Sequence, residues 1–243
     1  MTELRVPSIQ HLARNWHNDP NAIAKKLVSL ARNPPTFNYN PLISATKDLL
    51  VLGASYDSVL EGLSRLPRRD VRNNFLEVLP LIYGHFSGLS PDFYQNVGRR
   101  HYQLGRDLAI PFDPIMIYGI NGQLHFPWLS FWRSNPLDRE RLSLFVTLAD
   151  EILMQDPDLE DARFEILDFS CPRAKTPREL RITDARDIPR IEAAKKASML
   201  ETFAQGFLMA KSILAADPAA ASQERPQRER NIHPGQDDLF PPE

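Results

Sequence analysis

Residues 115–132 read IMIYGINGQLHFPWLSFW, and this stretch decides the fold class. Ile115, Met116, Ile117 and Tyr118 form a β-rich run, and a second run extends from Leu124 to Trp132. Between them stands Asn121-Gly122, a pair that tolerates positive φ at both positions and is the strongest short-range signal for a tight hairpin turn. The stretch lies in the longest uncharged window of the chain, the 19 residues from Pro114 to Trp132. Asn121, Gly122, Gln123, His125 and two prolines inside that window favour a hairpin over a membrane span, so no membrane association is expected.

Beyond the hairpin, Asn135-Pro136 predicts the start of a helix that buries Leu142, Phe145, Ala149 and Ile152 and stops at Asp156-Pro157. Phe164 to Phe169 alternates with period 2, as a half-buried strand does, and Leu180-Arg181-Ile182 reads as a short edge strand. A long helix is expected from Ile188 to Ala215, with Met199, Phe203, Phe207 and Leu214 on one stripe. The order after residue 110 is then ββαββα. That order predicts an α+β domain over residues 110–216 with its helices on one sheet face.

Working back toward the N-terminus, residues 1–109 read as a helical region. Ser8, Asp19-Pro20 and Ser90-Pro91 carry the signature of helix starts, a capping side chain or a proline at the first helical position. Helices are expected over Ala22–Leu30, Leu42–Leu52, Ser58–Leu66, Asp70–Phe86 and Pro91–Leu104. The run NPPTFNYNP at 33–41 is a loop, and Pro80 should kink or split its helix. Residues 217–243 differ in kind: five prolines, and Ile232, Leu239 and Phe240 as the only large apolar side chains. Such a segment buries too little to offset chain entropy, and a disordered tail is expected.

Composition sets outer limits. With 243 residues, 42% apolar and 25% charged, the chain is neither collagen-like, mucin-like nor wholly disordered. Cys171 is the single cysteine, which excludes an internal disulfide and any zinc site built on cysteine pairs. A free thiol and the lack of a signal-peptide core in the first twenty residues make the cytoplasm the expected location. The net charge of −2 conceals +4 over residues 1–110 and −3 over each of 111–216 and 217–243. With 10 glycines there is no phosphate loop, no dinucleotide fingerprint and no Gly-x-Ser-x-Gly elbow. His11, His17, His85, His101, His125 and His233 show no metal-ligand spacing, and no metal or other cofactor is expected.

Within the tail, Leu239 and Phe240 stand side by side, an apolar pair suited to anchoring in a partner's groove. Gln236-Asp237-Asp238-Leu239-Phe240 resembles the short peptide by which many bacterial DNA polymerases, mismatch-repair and other DNA-processing proteins dock on the replicative sliding clamp. The resemblance implies that Gln236 hydrogen-bonds at the pocket rim while Leu239 and Phe240 insert. Asp237 stands where the strongest versions carry leucine, which implies modest affinity. The expected function is a non-enzymatic accessory or adaptor protein of DNA replication, repair or mobile-element biology. A DNA contact is expected at two basic groups, Arg68, Arg69 and Arg72, then Arg99, Arg100 and Arg106.

Two other readings compete with it. Glu165-Ile166-Leu167-Asp168-Phe169-Ser170 resembles the metal-binding strand of restriction-endonuclease-like nucleases, and that resemblance implies Mg²⁺ held by Asp161, Glu165 and Asp168. The family's lysine position is Ser170 here, with Lys175 in the following loop, and simple alternation sends Glu165 and Asp168 to opposite faces. The remaining reading is a subunit of a multi-protein assembly using an apolar surface near Trp128 to Trp132, although aromatics on a hairpin more often build a core.

Overall fold

A computed structural model describes residues 4–105 and 107–216. The Asn121-Gly122 turn forms as expected, with φ of 53° and 77°, and joins strands β4 (Ile117–Ile120) and β5 (Gln123–Ser130). The full sheet has five strands in the order β1-β4-β5-β6-β7, with β1 (Phe93–Gln95), β6 (Arg163–Asp168) and β7 (Arg181–Asp184). All neighbours are antiparallel except β5 and β6, which run parallel and are joined through helix α6 (Arg139–Leu153). Strand β7 is the edge strand the sequence predicts. A separate hairpin pairs β2 (Arg100–Gly105) with β3 (Leu108–Phe112).

The α+β class holds, and the two helices of residues 110–216 share one sheet face as expected, while the helices before residue 110 cover both faces. Helices α1 (Ile9–Asn15), α2 (Pro20–Arg32), α6 and α7 (Ala193–Ala215) bury their apolar stripes with Phe126, Trp128, Phe164 and Ile166 on one side of the sheet. Helices α3 (Asn40–Val51), α4 (Tyr56–Ser64) and α5 (Arg69–Phe86) pack with Tyr118, Leu129, Leu167 and Phe169 on the other. Central strands covered on both faces read as near-continuous apolar runs, and FPWLSF at 126–131 is one. The charge change near residue 110 is no boundary in packing: it falls inside β3, and both cores join residues from either side of it.

The segment Pro91–Leu104 holds no helix: it contains β1, an irregular stretch over 96–99 and most of β2. Ser90-Pro91 starts no helix, and Phe93–Gln95 instead pairs with Ile117–Gly119. Tyr102 and Leu104 alternate with exposed neighbours and lean on the core, so a period of 2 prevails over local helix signals once partners exist. Other elements need smaller corrections. Helix α5 runs through Pro80 without splitting, with Val78, Leu79, Ile82 and Phe86 buried around it. Asn135 turns the chain by accepting from the Leu137 amide at 2.9 Å, and α6 begins only after Asp138. Asp19 caps α2 through the Asn21 amide at 2.9 Å, as the sequence predicts. No helix among the described residues is long and apolar enough to cross a membrane.

Candidate functional site

The three carboxylates of the nuclease reading do not converge. Asp161 is exposed ahead of β6, and Asp168 closes that strand. The strand from Arg163 to Asp168 spans roughly 17 Å at ~3.3 Å per residue, and the two carboxylates stand at its opposite ends. Glu165 and Asp168 project from opposite faces, and each is engaged in its own network. Glu165 Oε2 lies 2.9 Å from His125 Nδ1, with Arg163 Nε 3.4 Å from Oε1. Tyr118 stacks flat on His125 with ring centroids 5.1 Å apart. Burial and then the Glu165 charge push the Tyr118 hydroxyl well above its usual range. Burial lowers the pKa of His85 on α5, against the attraction of Glu165. Among the described residues no group of three or more His, Cys, Asp or Glu is arranged to hold a metal ion.

On the other face, strand register gathers polar groups around a cavity of about 130 Å³. Ser130 pairs with Asp168 across the parallel strands, and Asp168 with Arg181 across β6 and β7. One residue pair back, Trp128, Ile166 and Thr183 occupy the same face. Asn135, Leu137 and Leu142, from the connection into α6 and its first turn, complete the lining. Asp168 Oδ2 accepts from Ser170 Oγ at 3.0 Å, Asn135 Nδ2 at 3.1 Å and Arg181 Nη2 at 3.3 Å, whereas among the described residues Oδ1 accepts from the Ser170 amide alone, at 3.1 Å. The cavity lies over the last residues of the parallel strands β5 and β6 and the first of β7.

The loops at that end are fastened by Arg178, whose side chain is 1% exposed. Its Nη1 donates to the carbonyls of Phe169 at 2.8 Å and of Phe131 and Trp132 at 3.2 Å each, and its Nη2 to Asn74 Oδ1 of α5. Glu77 approaches its Nε at 3.6 Å.

The two arginine groups sit in opposite layers, and most of their charge is matched internally. Arg68 bonds Asp70 and Thr36, Arg72 the Leu66 carbonyl, Arg99 Asp113, and Arg100 Asp156 at 2.5 Å. Arg69 is exposed without a side-chain bond among the described residues, and Arg106 lies outside them. Cations without carboxylate partners among the described residues converge elsewhere, where the sequence shows no run. Arg14, Lys26 and Arg141 line an open recess of about 370 Å³ with Trp16 and His17, where the end of α1 meets α2 and α6. Arg14 is steadied over the Trp132 ring at 5.1 Å, and Arg141 donates to the Trp16 carbonyl at 3.3 Å.

The apolar surface of the assembly reading is also absent. Trp128, Leu129 and Phe131 are 7%, 6% and 3% exposed, and Trp132 packs against the core. Gln236, Leu239 and Phe240 lie outside the described residues. The chain matches no family model and no curated protein.

Proposed function

We propose that this chain is a non-enzymatic accessory protein of bacterial DNA replication, repair or mobile-element biology, tethered to the sliding clamp by Gln236, Leu239 and Phe240. The observation that carries the proposal is the sequence Gln-Asp-Asp-Leu-Phe itself, which sets two large apolar residues together in a segment otherwise almost free of them. Tethering raises the local concentration of the folded part at the clamp without a large interface. The nuclease alternative is dropped because its carboxylates face apart.

Leu239→Ala with Phe240→Ala removes both anchors. Hot-spot anchors contribute ~2 kcal/mol or more each, so the double change should cost ~4 kcal/mol and clamp affinity should fall by roughly 700-fold. Titration calorimetry with purified clamp measures this, and circular dichroism checks that the fold is kept. Failure of the unaltered chain to bind the clamp ends the proposal.

Contact with DNA is the second half of the reading, and the recess at Arg14, Lys26 and Arg141 supports it better than the paired arginines do. Each phosphate neutralised steepens the salt dependence of binding by about 0.9 in log–log slope. Arg14→Ala and Lys26→Ala are each expected to make that slope shallower by about one, and Arg99→Ala to leave it unchanged. Fluorescence anisotropy with a labelled duplex at several salt concentrations reads the difference. Equal slopes in all three variants would remove the recess from the DNA contact.

A further inference from the structure

The cavity over β5, β6 and β7 contains an unanswered polar group. Ser130 is 3% exposed, and its Oγ is buried without a hydrogen-bond partner among the described residues. A buried hydroxyl in that state forfeits on the order of 1–3 kcal/mol, so something normally answers it. A single water is a poor fit: one needs roughly 10–15 Å³, and the cavity is about 130 Å³. Trp128, Leu137, Leu142 and Ile166 also make much of its wall apolar.

The remaining hydrogen-bonding capacity has a definite layout. Beside Ser130, Asp168 Oδ1 has taken one bond and has room for another. Arg181 spends only Nη2, on Asp168 and on Ser170 Oγ at 3.0 Å, while its Nε and Nη1 have no hydrogen bond among the described residues and its side chain is half exposed. Inside, then, is a place for an N–H or O–H donor that a hydroxyl can also meet. At the mouth is a planar cation suited to a carboxylate. Between them lies apolar wall.

We propose that this cavity binds a small α-amino or α-hydroxy acid. Its amine or hydroxyl reaches Ser130 Oγ and Asp168 Oδ1, its carboxylate meets the outer edge of Arg181, and its apolar remainder lies against Trp128, Leu137 and Leu142. The site is independent of the tail and of the clamp.

Calorimetry and thermal unfolding of the full chain test it with L-valine, 2-hydroxyisovalerate, isovalerate and isobutylamine. Valine or the hydroxy acid should bind and raise the unfolding midpoint, and whichever binds identifies the head group. Isovalerate and isobutylamine, each lacking one end, should bind at least about tenfold more weakly. Ser130→Ala should weaken binding by about tenfold while leaving the midpoint of the free chain unchanged or higher, because the lost hydroxyl had no partner. Arg181→Lys, which keeps the charge beside Asp168, should weaken the carboxylate-bearing probes and not isobutylamine. The proposal is overturned if neither acid binds at about 10 mM, if isovalerate binds as well as they do, or if Ser130→Ala binds as tightly as the parent.

Discussion

Replacing Arg178 with methionine should destabilise the fold by about 3–5 kcal/mol, because the backbone carbonyls it answers are left without a donor at ~1–3 kcal/mol each. Methionine matches the stem in length and apolar character, so the loss isolates the guanidinium. Nothing in the new side chain can donate to the carbonyls of Phe131, Trp132 and Phe169, which the one Nη1 now serves together. Each such group, buried and unanswered, forfeits on the order of 1–3 kcal/mol. Glu77 keeps its bond to Arg133 at 2.6 Å, so its own charge is not abandoned. Arg178→Lys should recover part of the loss, since one ammonium reaches fewer of the three carbonyls and no longer spans to Asn74. Urea unfolding followed by circular dichroism measures both, and a loss below about 1 kcal/mol for methionine would show that water or loop movement satisfies the carbonyls. The consequence extends beyond stability. Phe131 and Trp132 lead into the connection that supplies Asn135 and Leu137 to the cavity, so the methionine variant should also bind the cavity's acid less tightly.

Features set by a few adjacent residues are legible in this sequence. The Asn121-Gly122 turn needs only two residues that accept positive φ, and the Asp19 cap needs only an amide two positions on. The stripe of α7 is equally plain, because Met199, Phe203, Phe207 and Leu214 repeat with the helical period and are all buried. What fails is whatever depends on a distant partner. Phe93 to Gln95 becomes strand because Ile117 to Gly119 is there to pair with it, and the local Ser-Pro signal carries no trace of that. The arginine groups look like free charge until Thr36, Asp113 and Asp156 are brought beside them. The cavity is less legible still. It needs the register of three strands to place Ser130, Asp168 and Arg181 in one row, and a loop to cover them. Of those three, only Asp168 attracts notice in the sequence, and for a chemistry that its position on the opposite face from Glu165 rules out.

Gly206 is equally silent in the sequence, and Gly206→Ala should lower stability by about 2–3 kcal/mol, toward the upper end for overpacking. Helix α7 crosses α2 with no room for a methyl group. A Cβ at 206 would lie 2.7 Å from Ile23 Cβ, 2.8 Å from Ile23 Cγ2 and 2.8 Å from the Pro20 carbonyl oxygen. None of these is the free end of a flexible side chain: two belong to a β-branched residue that is fully buried, and one to the backbone. Relief therefore requires the helices to separate, and with them the contacts of Leu27, Phe203 and Phe207 in the same core. Helix propensity opposes the loss, since alanine is favoured over glycine by ~1 kcal/mol in a helix interior. Gly62 in α4 and Gly84 in α5 measure that opposing contribution, because a Cβ at either meets nothing within 4 Å. Alanine there should stabilise by about 0.5–1 kcal/mol. Opposite signs at helical glycines, read from urea midpoints in the same chain, separate close packing from propensity. Adding Ile23→Ala to Gly206→Ala removes Cγ2 but leaves Cβ in place, so the double variant should lose about 1 kcal/mol less than the two single losses combined. Strict additivity would mean that the crossing of α2 and α7 is looser than 2.7 Å implies.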